Sequence, residues 1–110
     1  MREPLLIDWE IIHLKSFRPF KTERDEEAMK AIADFVKSDE ERINMRSFEC
    51  KLIGKAYGYK HPYIDYEPGE PIETSILQEV ERAPDDKNEL IAITKSGSRY
   101  AFFANNYIER

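Results

Sequence analysis

Two serines that flank a glycine, Ser96 and Ser98, could act as nucleophiles and are the first candidates for catalysis in this sequence. A nucleophilic serine needs a general base and oxyanion donors, and the segment ITKSGSRYAFF offers no visible candidate for either. The same segment fits a hairpin turn centred on Ser96 and Gly97. That register sets Ile93 opposite Tyr100 and brings the apolar residues to one face, while glycine supplies the positive φ of the turn. The pattern therefore favours a turn over a catalytic loop.

An acidic stretch near the middle of the chain could supply an acid, a base or metal ligands. Its carboxylates are Asp65, Glu67, Glu70 and Glu73. The prolines and the glycine between them indicate a loop, and no second cluster of ligands accompanies them. We therefore expect no catalytic site in this stretch.

The single cysteine, Cys50, alternates with Phe48 and Leu52, which predicts an inward-facing thiol on a strand rather than a nucleophile. One cysteine cannot form an internal disulfide, and the two histidines, His13 and His61, show no zinc-ligand spacing. We therefore expect a non-enzymatic protein with no catalytic residue, no metal and no cofactor.

A basic segment rich in tyrosine is the best candidate for a binding surface. The net charge is −5, yet residues 42–64 contain five Lys or Arg and one acidic residue. Tyrosines are enriched at protein-binding hot spots, so the first interpretation is a surface for a partner protein. Its residues would be Tyr57, Tyr59, Lys60, His61, Tyr63 and Tyr66. An equally open explanation is that these tyrosines only pack over the edge of a sheet.

The alternative interpretation is nucleic-acid binding, in which cations follow the phosphates and aromatic rings stack on bases. Its residues would be Arg42, Arg46, Lys51, Lys55 and Lys60. The acidic flanks of the chain disfavour this interpretation, because they repel phosphate at long range.

The elements that must position these residues form an α+β domain, which we expect to span residues 1–110. Thr22, followed by acidic residues and an apolar repeat, predicts a helix over 23–37. Alternating apolar residues predict a small antiparallel sheet built largely from 48–57, 71–81, 89–95 and 98–104, with the 23–37 helix packed across one face.

Three finer predictions complete the scaffold. The segment LLIDWEIIHL favours a further strand before the helix. The spacing of Ser38 and Glu41 resembles a capping box and predicts a second short helix from Asp39. In 71–81, the even-numbered residues from 72 to 80 are expected to share one face.

The segments GKAYGYKHP, GEPIETSIL and AITKSGSRYAF together resemble a group of short proteins from phages and bacterial prophages. The resemblance covers about residues 54–103 and rests on a Gly-aromatic-Gly segment, a Thr-Ser strand and a Ser-Gly-Ser-x-Tyr hairpin. Its residues are Gly54, Gly58, His61, Pro62, Thr74, Ser75, Ser96, Gly97, Ser98 and Tyr100. It implies a mobile-element protein that binds a host protein, including as an inhibitor of antiviral defence such as an anti-CRISPR protein.

The sequence also bears on location. No apolar run approaches the roughly 20 residues that cross a bilayer, and the start of the chain lacks the pattern of a signal peptide. We expect a protein in the cytoplasm of the host cell, with no membrane contact.

Overall fold

The computed structural model describes residues 3–15, 22–57, 69–84, 86 and 88–104. Its one helix within these ranges is α1 (Glu23–Lys37), and a single turn of 3-10 helix covers Arg46–Phe48. The strands are β1 (Leu5–His13), β2 (Arg42–Asn44), β3 (Cys50–Tyr57), β4 (Glu70–Arg82), β5 (Glu89–Thr94) and β6 (Arg99–Phe103). The α+β prediction is confirmed, as are the 23–37 helix and the strand before it.

The six strands form one sheet in the order β2-β4-β3-β1-β6-β5, and a further pairing of β4 with β5 closes five of them into a ring. β1 and β6 run parallel, with Leu5 opposite Ala101, and the other pairs are antiparallel. The sheet is larger than the predicted four strands because β1 and β2 join it. The interior of the ring is packed around Trp9 and Phe102, whose ring centroids are 4.7 Å apart.

A bulge in β1 distorts its pairing with β3. The register shifts between Ile7 and Glu10, and Asp8 within the bulge has a left-handed φ of 49°. Gly54 of β3 lies against this bulge, where an added Cβ would come 3.0 Å from the carbonyl oxygen of Ile7. The close approach of the two strands therefore depends on glycine at this position.

β4 changes the face that it buries. The prediction that the even-numbered residues from 72 to 80 share one face is wrong in the middle of the strand, since Leu77 is buried while Ile76 and Gln78 are half-buried. The register shifts once against β3 and once against β5. Each shift inserts a residue and reverses the alternation, and such bulges bend a strand. One half of β4 can therefore pair with β3 and the other with β5.

The N-terminus of α1 is fixed to the end of β1 by one buried carboxylate. Thr22 and Asp25 form a reciprocal capping box: the Thr22 amide donates to Asp25 Oδ2 at 2.8 Å, and the Asp25 amide donates to Thr22 Oγ1 at 3.3 Å. The other oxygen of Asp25 accepts a hydrogen bond from the backbone amide of His13. Because Asp25 is only 2% exposed, these bonds satisfy a buried charge.

The C-terminus of α1 is held by an arginine from β4. The guanidinium of Arg82 donates to the carbonyl oxygens of Phe35 at 2.5 Å, Ser38 at 2.7 Å and Glu40 at 2.8 Å. It also lies over the ring of Phe35, 4.7 Å from the centroid. Positive charge stabilises a helix C-terminus, so Arg82 joins the helix to the sheet through carbonyl oxygens at and just beyond the helix end.

No helix begins at Asp39, so that prediction is wrong. Ser38 ends α1, with its amide and its hydroxyl both donating to the carbonyl oxygen of Phe35, at 3.0 and 2.7 Å. The following residues form β2, in which Ile43 pairs with Val80 of β4. The serine that suggested a helix start serves the preceding helix end instead.

The β5–β6 hairpin forms as predicted, but its register differs by one residue. Ile93 pairs with Arg99, not with Tyr100. The Thr94 amide donates to the Ser98 carbonyl at 2.9 Å, so the loop contains three residues, 95–97, rather than two. A turn followed by a left-handed glycine is a common three-residue hairpin loop, and Gly97 has φ of 90°.

We expect Gly97→Val to lower the free energy of unfolding by about 1 kcal/mol, because a β-branched residue resists positive φ. Chemical denaturation would measure the effect. Nothing lies within 4 Å of an added Cβ at this site, so the loss of stability would come from the backbone conformation and not from a steric clash. Ser96→Ala serves as the control, because the Ser96 hydroxyl is exposed and should contribute little. Equal stability of the valine variant and the wild type would contradict this account.

Candidate functional site

The predicted partner-binding segment connects β3 to β4. Tyr57 is half-buried at the end of β3, whereas Tyr59, Lys60, His61, Tyr63 and Tyr66 lie outside the described residues. At the far end of the connection, the Gly69 amide donates to the Ala56 carbonyl at 2.7 Å. Gly69 has φ of 84°, and an added Cβ there would lie 2.9 Å from the Tyr57 hydroxyl. The residues on either side of the connection therefore lie at the hydrogen-bonded ends of β3 and β4.

A groove of about 290 Å³ lies near the end of β3 and the start of β4, on the outer face of β1, β3 and β4. The register places Ile53 of β3 between Glu10 of β1 and Glu73 of β4. The lining mixes apolar and charged side chains: Asp8, Glu10, Ile53, Gly54, Lys55, Pro71, Ile72 and Glu73. Sequence reasoning missed the contribution of β1, although an aspartate that interrupts an apolar strand is a signal for a bulge.

Both basic residues of β3 are paired with carboxylates on this face. Lys51 forms an ion pair with Glu73, and the Lys55 ammonium lies 3.6 Å from the carboxylate of Asp8. A phosphate backbone would have to displace these carboxylates to use the two lysines. The groove therefore presents mixed charge rather than a basic track.

The structure separates the other basic residues of the nucleic-acid interpretation. Arg42 lines a cleft that it shares with Glu41, Glu81 and Asp86. Arg46 lines a different cleft, beside Lys95. The residues that are close in sequence therefore fall on three surfaces of the described molecule.

Cys50 is fully buried, as its alternation predicted. Burial raises the pKa of its thiol to about 12, and the nearby negative charge of Asp25 adds to the rise. A thiolate is the reactive form of cysteine, so this thiol is unreactive in the folded protein.

We expect the native protein to react with a thiol reagent at pH 8 only through unfolding, whereas the protein in denaturant should react at once. The folded pKa of about 12 lies above the ordinary value of 9.0, so the thiol ionises first in the unfolded protein as the pH rises. Its contribution to stability is therefore complete below pH 9 and is lost as the pH rises towards 12. Rapid modification of the native protein, followed by mass spectrometry, would contradict the buried position.

The remaining candidates for chemistry either form hydrogen bonds within the fold or lie outside the described residues. The Ser96 hydroxyl lies 3.0 Å from the hydroxyls of both Ser75 and Thr94, so it is part of a hydroxyl cluster at the hairpin. His13 is buried, and its Nδ1 accepts a hydrogen bond from the Lys15 amide at 3.1 Å. Among the described residues, no group of His, Cys, Asp and Glu side chains could hold a metal ion. Asp65 and Glu67 fall outside those residues.

Comparison with known proteins adds no assignment. No protein-family model matches the chain, and no curated protein or solved structure matches it. The resemblance to phage and prophage proteins stays a prediction. In the described part of the chain, no helix is long and apolar enough to span a bilayer.

Proposed function

We propose that the protein is a non-enzymatic binding module that captures a partner protein through residues 57–73 and the adjoining groove. The observation that carries this proposal is the groove near the end of β3 and the start of β4, where Ile53, Pro71 and Ile72 lie among charged residues. An apolar centre with a polar rim is typical of protein interfaces. Loops held by a rigid sheet are also favoured recognition elements.

The pairing of Lys51 and Lys55 with carboxylates supports a protein partner over nucleic acid. A partner protein can match mixed charges one by one, whereas a polyanion needs unpaired cations in a row. If the protein comes from a mobile element, its partner is a host protein, and inhibition of a defence system such as CRISPR is the corresponding activity. It acts without a cofactor in the cytoplasm of the host.

The test begins with affinity capture from the source host, with captured proteins identified by mass spectrometry. Calorimetric titration of the purified partner should then show that Tyr59→Ala and Tyr63→Ala each weaken binding by about 1 kcal/mol, with an unchanged melting temperature. Lys55→Glu, in the groove, should also weaken binding. Lys30→Ala, on the exposed face of α1, is the matched control and should have no effect.

Nucleic-acid binding makes a different prediction for the same proteins. Affinity for oligonucleotides would then fall linearly with the logarithm of salt concentration, and Lys51 and Lys55 would dominate over the tyrosines. Tight, salt-dependent oligonucleotide binding without any captured protein would overturn the proposal.

A further inference from the structure

A second cleft, of about 550 Å³, opens between the end of β1, the 3-10 turn, β4 and the β5–β6 hairpin. Ile76, which is half-buried, supplies apolar surface, whereas Leu77 in the lining is fully buried. Leu14 also lines the cleft. Its side chain is 41% exposed, and among the described residues no other large apolar side chain is classed as exposed. The cleft therefore offers an aliphatic surface to solvent.

Two cations line the same cleft. Arg46 and Lys95 are exposed, and within the described molecule no hydrogen bond or ion pair engages either side chain. Lys51 and Arg99, by contrast, are each paired with a carboxylate. The two cations are thus available to a ligand without the loss of an existing ion pair.

One carboxylate also belongs to the lining. Glu49 has a left-handed φ of 48°, and its Oε2 lies 3.7 Å from Nε2 of the His13 ring. Arg24 Nη1 lies 3.1 Å from the same nitrogen. With Arg46 and Lys95 in the lining against this one carboxylate, the cleft keeps an excess of positive charge.

Backbone hydrogen bonds hold the walls of the cleft together. The Leu14 amide donates to the Glu49 carbonyl at 2.8 Å, and the Lys95 amide donates to the Ile76 carbonyl at 2.8 Å. The Met45 amide, next to Arg46, donates to β4 at 2.9 Å. The backbones that carry both cations are therefore fixed around the apolar surface.

We propose that this cleft binds an acidic peptide segment of a partner protein, in which carboxylates flank an aliphatic side chain. The aliphatic group would pack on Leu14 and Ile76, and the carboxylates would meet Arg46 and Lys95. Charge and apolar surface are then both matched. A nucleic acid would leave the apolar surface uncovered. This proposal is independent of the groove on β1, β3 and β4.

The test uses a fluorescein-labelled peptide of alternating glutamate and leucine, titrated at low salt and followed by fluorescence anisotropy. Arg46→Glu and Lys95→Glu should each weaken binding about tenfold. A peptide with glutamine in place of glutamate should also bind about tenfold more weakly. Lys30→Glu is the matched control, because it makes the same charge change on α1, outside the cleft, and should change affinity by less than about twofold.

A substitution in the apolar surface distinguishes binding at this cleft from general electrostatic attraction. Leu14→Ser should weaken the peptide about fivefold without a change in melting temperature, since Leu14 is exposed. The proposal is overturned if the wild type fails to bind the peptide, or if Lys30→Glu weakens binding as much as Lys95→Glu. It is also overturned if a single-stranded oligonucleotide competes more tightly than the peptide for Arg46 and Lys95.

Discussion

Arg82→Ala should lower the free energy of unfolding by about 3 kcal/mol, because it removes several charge-assisted hydrogen bonds and a cation–π contact together. In the folded protein the guanidinium donates to carbonyl oxygens at and just beyond the end of α1 and covers the ring of Phe35. Without it, the carbonyls of Ser38 and Glu40 lose this donor, while the Phe35 carbonyl keeps only its bonds from Ser38. Urea denaturation followed by circular dichroism measures the loss.

Arg99→Ala is the matched control on the neighbouring part of the sheet. Arg99 also makes two ion pairs, with Glu3 at 3.2 Å and Glu81 at 2.7 Å, but its side chain is 44% exposed. Exposed ion pairs contribute about 1 kcal/mol or less, so this variant should be nearly as stable as the wild type. Arg82→Lys should recover part of the loss, since one ammonium cannot reach all the carbonyls at once. Equal effects of Arg82→Ala and Arg99→Ala would refute the role assigned to Arg82.

Asp25→Ala should also destabilise the protein by about 3 kcal/mol. The substitution leaves the buried amide of His13 and the amide of Thr22 without their acceptor, and it removes the negative charge from the first turn of α1. The loss is measured by the same denaturation experiment. Amide hydrogen exchange adds a local measurement, in which the His13 amide should lose protection.

Asp34→Ala tests whether any aspartate on α1 has this effect. Asp34 is exposed, and its replacement should change stability by less than about 0.5 kcal/mol. Asp25→Asn should fall between the two, because the amide keeps one acceptor oxygen but loses the charge. If Asp25→Ala unfolds no more easily than Asp34→Ala, the capping box and its link to β1 do not stabilise the fold.

The parts of the fold that follow from local patterns could be predicted from the sequence. Thr22 begins α1 where expected, and the helix ends at Lys37 as predicted, because capping and helical periodicity depend on neighbouring residues alone. Cys50 is buried as its alternation indicated. The wrong predictions depend on tertiary partners. Ser38 caps the end of α1, although it was expected to begin a second helix, and the hairpin contains one more loop residue than the apolar register suggested.

The candidate site was less predictable for the same reason. The alternation of β4 gives no sign of where its two bulges fall, because each depends on the strand opposite. Asp8 and Lys55 are 47 positions apart in the sequence, and the pairing of β1 with β3 brings them together. Conversely, Arg42, Arg46 and Lys51 are neighbours in sequence but lie on separate surfaces. Composition identified a basic segment, whereas the fold determines which cations remain unpaired.

The parallel pairing of β1 with β6 has a consequence for how the chain folds during synthesis. It joins Leu5 to Ala101, and the Trp9 indole donates to the Phe103 carbonyl at 2.7 Å across 94 positions of sequence. Contacts of such high sequence separation are slow to form, because a long loop must close first. On the ribosome, β1 and α1 emerge well before β6, so the nascent chain carries an incomplete ring of strands until β6 is released. We therefore expect Trp9 to reach its native environment only after translation of β6, as a late step of folding.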